Sequence, residues 1–158
     1  MKAAVQRVHD ALQASGVEPR IVEFSESTRT AEDAARAIGT TVERIVKSLV
    51  FVAGEQPVLV LVSGVNRVDM ARLAAVLETG VRRANADVVR AATGFAIGGV
   101  PPLGHATTLP ILLDEDLLPY DLIYAAAGTP NTVFPITPDT LRRVTGARIV
   151  AVKEEVIP

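Results

Sequence analysis

One lysine in this chain stands where lysines are costly. Lys47 falls within Ile45-Val46-Lys47-Ser48-Leu49-Val50-Phe51, an apolar, β-rich run, and it shares the chain with only Lys2 and Lys153 against thirteen arginines. An ammonium is expensive to bury unless it is paired or reaches solvent. Either the side chain snorkels from the end of an edge strand, or it projects into a cleft and meets an anion such as a phosphate. The second unusual feature is Gly98-Gly99-Val100-Pro101-Pro102-Leu103-Gly104. Glycines let another molecule approach the backbone closely, and prolines freeze the direction of its N–H and C=O groups. Such a loop suits recognition through backbone amides; it also suits a plain rigid turn between elements.

The rest of the inventory narrows the chemistry. The chain has no cysteine, which excludes thiol nucleophiles, disulfides, thiolate zinc sites and iron–sulfur clusters. There are two histidines, His9 inside an amphipathic helix and His105 just after the Gly/Pro loop, and both read more readily as packing residues than as ligands or bases. No Gly-x-Ser-x-Gly, Walker, Gly-x-Gly-x-x-Gly or His-Glu-x-x-His motif occurs. A triad, a metal site and a cofactor are therefore not expected.

At 158 residues, 49% of them hydrophobic and a net charge of −2, the chain has the composition of one folded domain, not of a disordered segment. Mean hydropathy is +0.32, carried by Ala, Val, Leu and Ile. No apolar run approaches the roughly 20 residues of a membrane span. Arg7 and Asp10 interrupt the place where a signal peptide would be apolar, so a cytoplasmic protein with no membrane partner is expected. The balanced charge gives no global field for nucleic acid. Arg82, Arg83 and Arg90, and Arg142, Arg143 and Arg148, can form local basic patches or ordinary solvated faces.

The elements that must position these residues follow from periodicity and caps. Val5, Val8 and Leu12 share one helix face over Ala3–Ser15. Arg20–Phe24 reads as a short strand. Thr30 caps a helix over Ala31–Ile38, ended by Gly39, and Thr41–Val46 reads as a helical turn. Lys47–Ala53 and Val58–Val62 form a hairpin around Gly54-Glu55-Gln56-Pro57. Further helices are predicted over Val68–Leu77 (with Asn66 and Asp69 as capping candidates), Ala86–Ala92 behind Asn85, and Pro138–Val144 behind Thr137. Val81–Ala84, Leu109–Leu113, Leu122–Ala127, Thr132–Thr137 and Arg148–Val152 read as strands. The count is about seven strands and five helices, an α/β mixture with antiparallel neighbours rather than strict βαβ alternation.

Taken in order, Lys47-Ser48-Leu49-Val50-Phe51, the Val-Leu-Val-Leu-Val strand, Val68-Asp69, Thr93-Gly94, Gly98–Gly104 and Asp114 resemble the YbaK/prolyl-tRNA-synthetase-associated editing domain family, over about residues 5 to 150. The resemblance implies a single domain over 1–158, with a mixed, largely antiparallel, partly barrel-like sheet surrounded by helices. It implies a trans-editing aminoacyl-tRNA deacylase without cofactor or metal. Such a protein hydrolyses the ester of a mischarged small amino acid at the acceptor end of a tRNA, typically tRNA for proline, and can work beside prolyl-tRNA synthetase. By resemblance, Lys47 anchors a phosphate or hydroxyl of the terminal nucleotide. Gly98 and Pro102 belong to the family's Gly-x-x-x-Pro loop, and the backbone around Gly99 and Val100 holds the aminoacyl group, with Gly99 near the reacting carbonyl. Pro101, Asp114, Ala127 and Gly128 join the substrate site, and the segment Phe24–Thr30, with Phe24, Thr28 and Thr30, forms another wall. The sequence departs from some relatives at Tyr124-Ala125-Ala126-Ala127-Gly128-Thr129, where they carry Ser-Gly-Gly or a histidine. This leaves the amino acid substrate open, and leaves open a module of the same fold that binds an aminoacyl or nucleotide group without turnover.

Overall fold

The computed structural model describes residues 2–26, 28 and 30–155. Five α-helices form: α1 (Ala3–Ala14), α2 (Ala31–Ile38), α3 (Met70–Leu77), α4 (Ala86–Thr93) and α5 (Pro138–Thr145). Eight strands accompany them: β1 (Val22–Glu23), β2 (Val46–Ala53), β3 (Gln56–Ser63), β4 (Val81–Arg83), β5 (Ile111–Asp114), β6 (Ile123–Ala126), β7 (Thr132–Ile136) and β8 (Arg148–Val150). The helix starts follow side-chain chemistry. Thr30, Asn85 and Thr137 each accept a backbone N–H from three residues on, and Asp69 accepts from Ala71 and Arg72. Asp69 is thus the cap of α3; Asn66 has a different task, described below.

The strands divide between two sheets. One runs β4-β2-β3-β5-β8, antiparallel through β4, β2 and β3 and parallel from β3 to β5 and β8; the other is an antiparallel β1-β7-β6. The expected single sheet is therefore two, joined by one parallel bridge between Ile45 and Tyr124. Both contribute to a shared core, which gathers Val46, Val50, Leu59 and Leu61 from one and Ile123, Ala125, Phe134 and Ile136 from the other, with Val8 and Leu12 of α1. Fully burying each of the Val, Leu, Ile and Phe side chains among these contributes roughly 1.5–3 kcal/mol. On the other face of the five-stranded sheet, Leu73 of α3 packs on Phe51, Val58, Val60 and Val62.

Sheet geometry leaves a gap. β4 pairs with β2 only at Phe51–Ala53, and Val50 O accepts from Ala84 N just before it. β6 joins this edge through the Ile45–Tyr124 bridge, one residue ahead of β2. Between these points, residues 46–49 have a sheet partner, β3, on one side only. Backbone polar groups alternate sides along a strand, so the N–H and C=O of Ser48 point the same way as Val50's, into the opening. The two-residue strand β1 is shorter than the sequence suggests, because only Val22 and Glu23 reach β7.

Candidate functional site

The opening beside β2 is a cleft of about 410 Å³. Its floor is Val46–Leu49, one wall is Thr28, Thr30 and Glu32 at the start of α2, and the facing wall is Ile97, Gly98 and Val100 with Tyr124–Ala126 and Thr129. Lys47 and the loop therefore meet across one cavity, as do Thr28 and Thr30. Thr28 is fixed by hydrogen bonds to Pro130 O from both its N–H and its hydroxyl. Ser27 and Arg29, which fall in the predicted Phe24–Thr30 wall, lie outside the described residues.

Lys47 is half-buried, and its Nζ donates to the backbone carbonyl of Asn66 at 2.5 Å. Burial pulls its pKa below the ordinary lysine value. Glu32 and Asp114 oppose that, while Arg67 and Arg83 reinforce it. Lys47 thus lines the cleft floor with Glu32 the one carboxylate among the described lining residues. Beside it, Ser48 Oγ is shielded from solvent and meets no hydrogen-bond partner among the described residues.

The facing wall is a tight turn. Gly99 N–H donates to Ala96 O, and Gly98 at its corner has φ +94°, the third-position geometry of a type II turn that favours glycine. Ile97, 55% exposed, and Gly98 form the tip. Behind the tip, the backbone of Gly128 and Thr129 packs so closely on Gly99 that a Cβ there would lie 2.9 Å from three of its atoms. His105 Nε2 donates to Pro101 O at 2.7 Å, and Arg7 of α1 donates to Gly94 O at 2.9 Å while stacking on Phe95. The turn is held from three sides.

This geometry corrects several assignments. Gly99 is not among the lining residues: its N–H bonds to Ala96 O inside the turn and its Cα is buried against the Gly128–Thr129 backbone, so it shapes the wall. Pro101 and Pro102 are buried under the loop. Ala127 lies fully buried in the core, because alternation along β6 turns Ala126 toward the cleft instead. Gly128 faces the backbone of Ala4 in α1. Phe24 hydrogen-bonds to Asn131 outside the cleft. Asp114, 1% exposed, sits behind Lys47. Ser48, Ile97 and Tyr124 are lining residues that motif reading passes over. Strand periodicity was a usable signal for Ala126, while nothing local marks Ile97. No group of three or more His, Cys, Asp or Glu side chains able to hold a metal occurs among the described residues. The chemistry available is an ammonium, one carboxylate (Glu32), backbone amides and hydroxyls around a small, mainly apolar chamber.

Comparison with known proteins shows the family. The family model for the aminoacyl-tRNA editing domain matches residues 25–144, and the chain belongs to that family. A crystal structure of a protein proposed to be a trans-editing enzyme for prolyl tRNA synthetase superposes with a TM-score of 0.94 at 47% identity, covering 98% of this chain and 99% of that one. The proposed Cys-tRNA(Pro)/Cys-tRNA(Cys) deacylase EbsC of Enterococcus faecalis is 28% identical over 127 residues, 79% of this chain and 77% of EbsC. The proline–tRNA ligase of Lactobacillus gasseri is 38% identical over 87 residues, 54% of this chain but 15% of the ligase.

Proposed function

We propose that this protein is a free-standing aminoacyl-tRNA deacylase that removes a wrongly attached small amino acid from a tRNA, with tRNA for proline as its substrate. The observation that carries this reading is that Lys47 and the Ile97–Val100 turn line one small cleft. The family membership and the likeness to proteins named for prolyl-tRNA editing support it. So does the size of the cleft, which suits a terminal nucleotide's ester and a short side chain. Work beside prolyl-tRNA synthetase in the cytoplasm, where charged tRNAs are used, belongs to the same proposal; no helix among the described residues is long and apolar enough to cross a membrane.

The reaction adds water to the ester carbonyl. The bond to the ribose oxygen breaks, that oxygen takes up a proton, and free amino acid and uncharged tRNA leave. An ester of this kind needs no covalent nucleophile from the protein; holding it and a water in register supplies much of the acceleration. Lys47 offers positive charge to a phosphate, a ribose hydroxyl or the developing oxyanion. Gly98 and Val100 present the turn's backbone to the acyl group, replacing the role expected of Gly99. Tyr124, Ala125 and Ala126 form the wall against the amino acid side chain.

The test is a panel of tRNAs charged with Ala, Cys, Ser, Thr or Pro, followed for loss of the ester. Accelerated hydrolysis of at least one mischarged member, lost in a folded Lys47→Ala variant, is expected. Binding of the panel without hydrolysis of any member would instead make the chain a recognition module.

A further inference from the structure

Behind Lys47 lies a polar cluster that the cleft does not use directly. Asn66 ends a turn whose N–H donates to Ser63 O at 2.9 Å. Its side-chain amide spends one N–H on Asp114 Oδ2 and the other on Asp116 Oδ2, both at 2.8 Å. Asp114 Oδ2 also accepts from Ser63 N at 3.0 Å, so one buried carboxylate grips the turn at its first and last residues. Its second oxygen accepts from Asp116 N. Lys153, brought alongside by a bridge between Val68 and Lys153, donates to Asp116 at 2.8 Å. The carbonyl of Asn66, on the opposite side of this clamp, is the acceptor for Lys47 Nζ.

Burying an aspartate this completely is costly unless its oxygens are satisfied. Here Asp114 is satisfied entirely by the turn and by Asp116 N–H, and the turn reaches the cleft chemistry through the Asn66 carbonyl. We propose that Asn66 and Asp114 are positioning residues for Lys47: a carboxylate-anchored turn that aims the ammonium into the cleft and holds it there. The aim matters for the editing reaction, on which reading the catalytic half of this inference rests. A lysine on a four-carbon stem loses its geometry easily, and ångström-scale misplacement of a catalytic group is expensive. The charged groups around the ammonium are Glu32 from α2, Arg67 from the turn's end, Arg83 from β4 and Asp114 from the end of β5. Of these, Asp114 alone is tied into the clamp.

Two readouts test this. The first is deacylation kinetics on the mischarged tRNA that the wild type hydrolyses. Asn66→Ala is expected to lower kcat roughly tenfold with KM little changed, and to lower the melting temperature because the buried Asp114 carboxylate loses one of its donors. Adding it to Lys47→Ala is expected to cost nothing further, since both act through one group. The second is titration of lysine Nζ by NMR on isotope-labelled protein, in which only three lysines need assignment. Asp114→Asn removes a negative charge that favours the ammonium, so the Lys47 midpoint moves down. Asn66→Ala, which preserves Asp114, broadens or shifts the Lys47 signal without affecting Lys2. Full activity in a folded Asn66→Ala, or losses that multiply in the double variant, overturns the proposal. If Asn66→Ala does not fold, Asp116→Ala replaces it, removing one acceptor from the Asn66 amide at a partly exposed position. A fall in its kcat at constant KM supports the relay, and an unchanged kcat and unchanged Lys47 titration overturns it. If the wild type hydrolyses no charged tRNA, the editing reading fails by itself. The titration then decides the clamp: a Lys47 midpoint identical in the wild type and in Asp114→Asn overturns it.

Discussion

Substituting Gly99 with alanine tests whether the rear of the turn, not its front, sets the cleft. An alanine Cβ would sit 2.9 Å from Gly128 C, Gly128 O and Thr129 Cα. Carbon contacts settle near 3.5–4.0 Å, so the turn must retreat by roughly 0.6 Å or more, and the obstructing atoms are backbone that cannot rotate away. Overpacking of this kind costs about 1–3 kcal/mol. For a chain of this size that is a fall of roughly 2–4 °C in Tm for each kcal/mol. The same retreat carries Gly98 and Ile97 with it, and since a misplacement of about 1 Å can cost about 100-fold in rate, a tenfold loss of kcat is expected. The assay pairs single-turnover deacylation with a thermal melt. Gly80→Ala is the control, because a Cβ there meets nothing within 4 Å and its φ is not left-handed; it should change neither quantity. Gly99→Ala with wild-type kcat and an unshifted Tm would refute the argument that backbone contact behind the turn fixes the site.

Three other perturbations separate the parts played by wall, charge and brace. Ala126→Val should reduce hydrolysis of larger acyl groups more than of alanyl esters, by roughly 10-fold or more for a methylene's worth of space, whereas Ala127→Val should lower Tm without changing the ranking of substrates; the charged-tRNA panel reads both. Arg67 and Arg83 are exposed and near enough to repel Lys47, and replacing each by alanine should lower the slope of log kcat/KM against log salt by about 0.7 for every phosphate no longer neutralised; unchanged slopes would exclude them from the tRNA path. His105 is pushed below its ordinary value of 6.5 by burial, with its hydrogen bond to Pro101 opposing. The unfolded chain then binds the proton that the folded one refuses, so stability falls as pH drops below about 6.5. His105→Gln retains a donor but does not titrate, and its melting temperature should fall less between about pH 7 and 5.5; equal losses would refute this.

Much of the frame was legible because the signals were local. Thr30, Asn85 and Thr137-Pro138 announce helices by their own hydrogen-bonding chemistry, and Lys47 stands out because its surroundings are apolar. The loop was legible as a rigid feature but not by role. Gly99, Pro101, Pro102 and Gly128 are of unusual type because they build and brace a wall, and a residue that braces a wall is seldom the one that faces the ligand. Asp114 misled for a related reason: a carboxylate beside a site can serve the side chain that serves the substrate. Ile97, Ser48 and Tyr124 were missed because lining a cleft depends on which elements stop pairing, and the early end of β4 and the single Ile45–Tyr124 bridge are tertiary facts. The brace from Arg7 likewise lies in a helix outside the stretch matched by the family model.

The pairing of β1 with β7 joins Val22 to Val133, and the pairing has a consequence in time. The β2–β3 hairpin carrying Lys47 closes on neighbours in sequence, an event of roughly 1–10 μs. The wall that faces it needs β6 and β7, and contacts of such long reach form slowly. During synthesis the lysine emerges first and waits in an open groove, and the chamber that encloses it appears only when the last third of the chain has arrived. Selectivity for an acyl group is therefore a late acquisition of the folding molecule, gained after the charge is already in place.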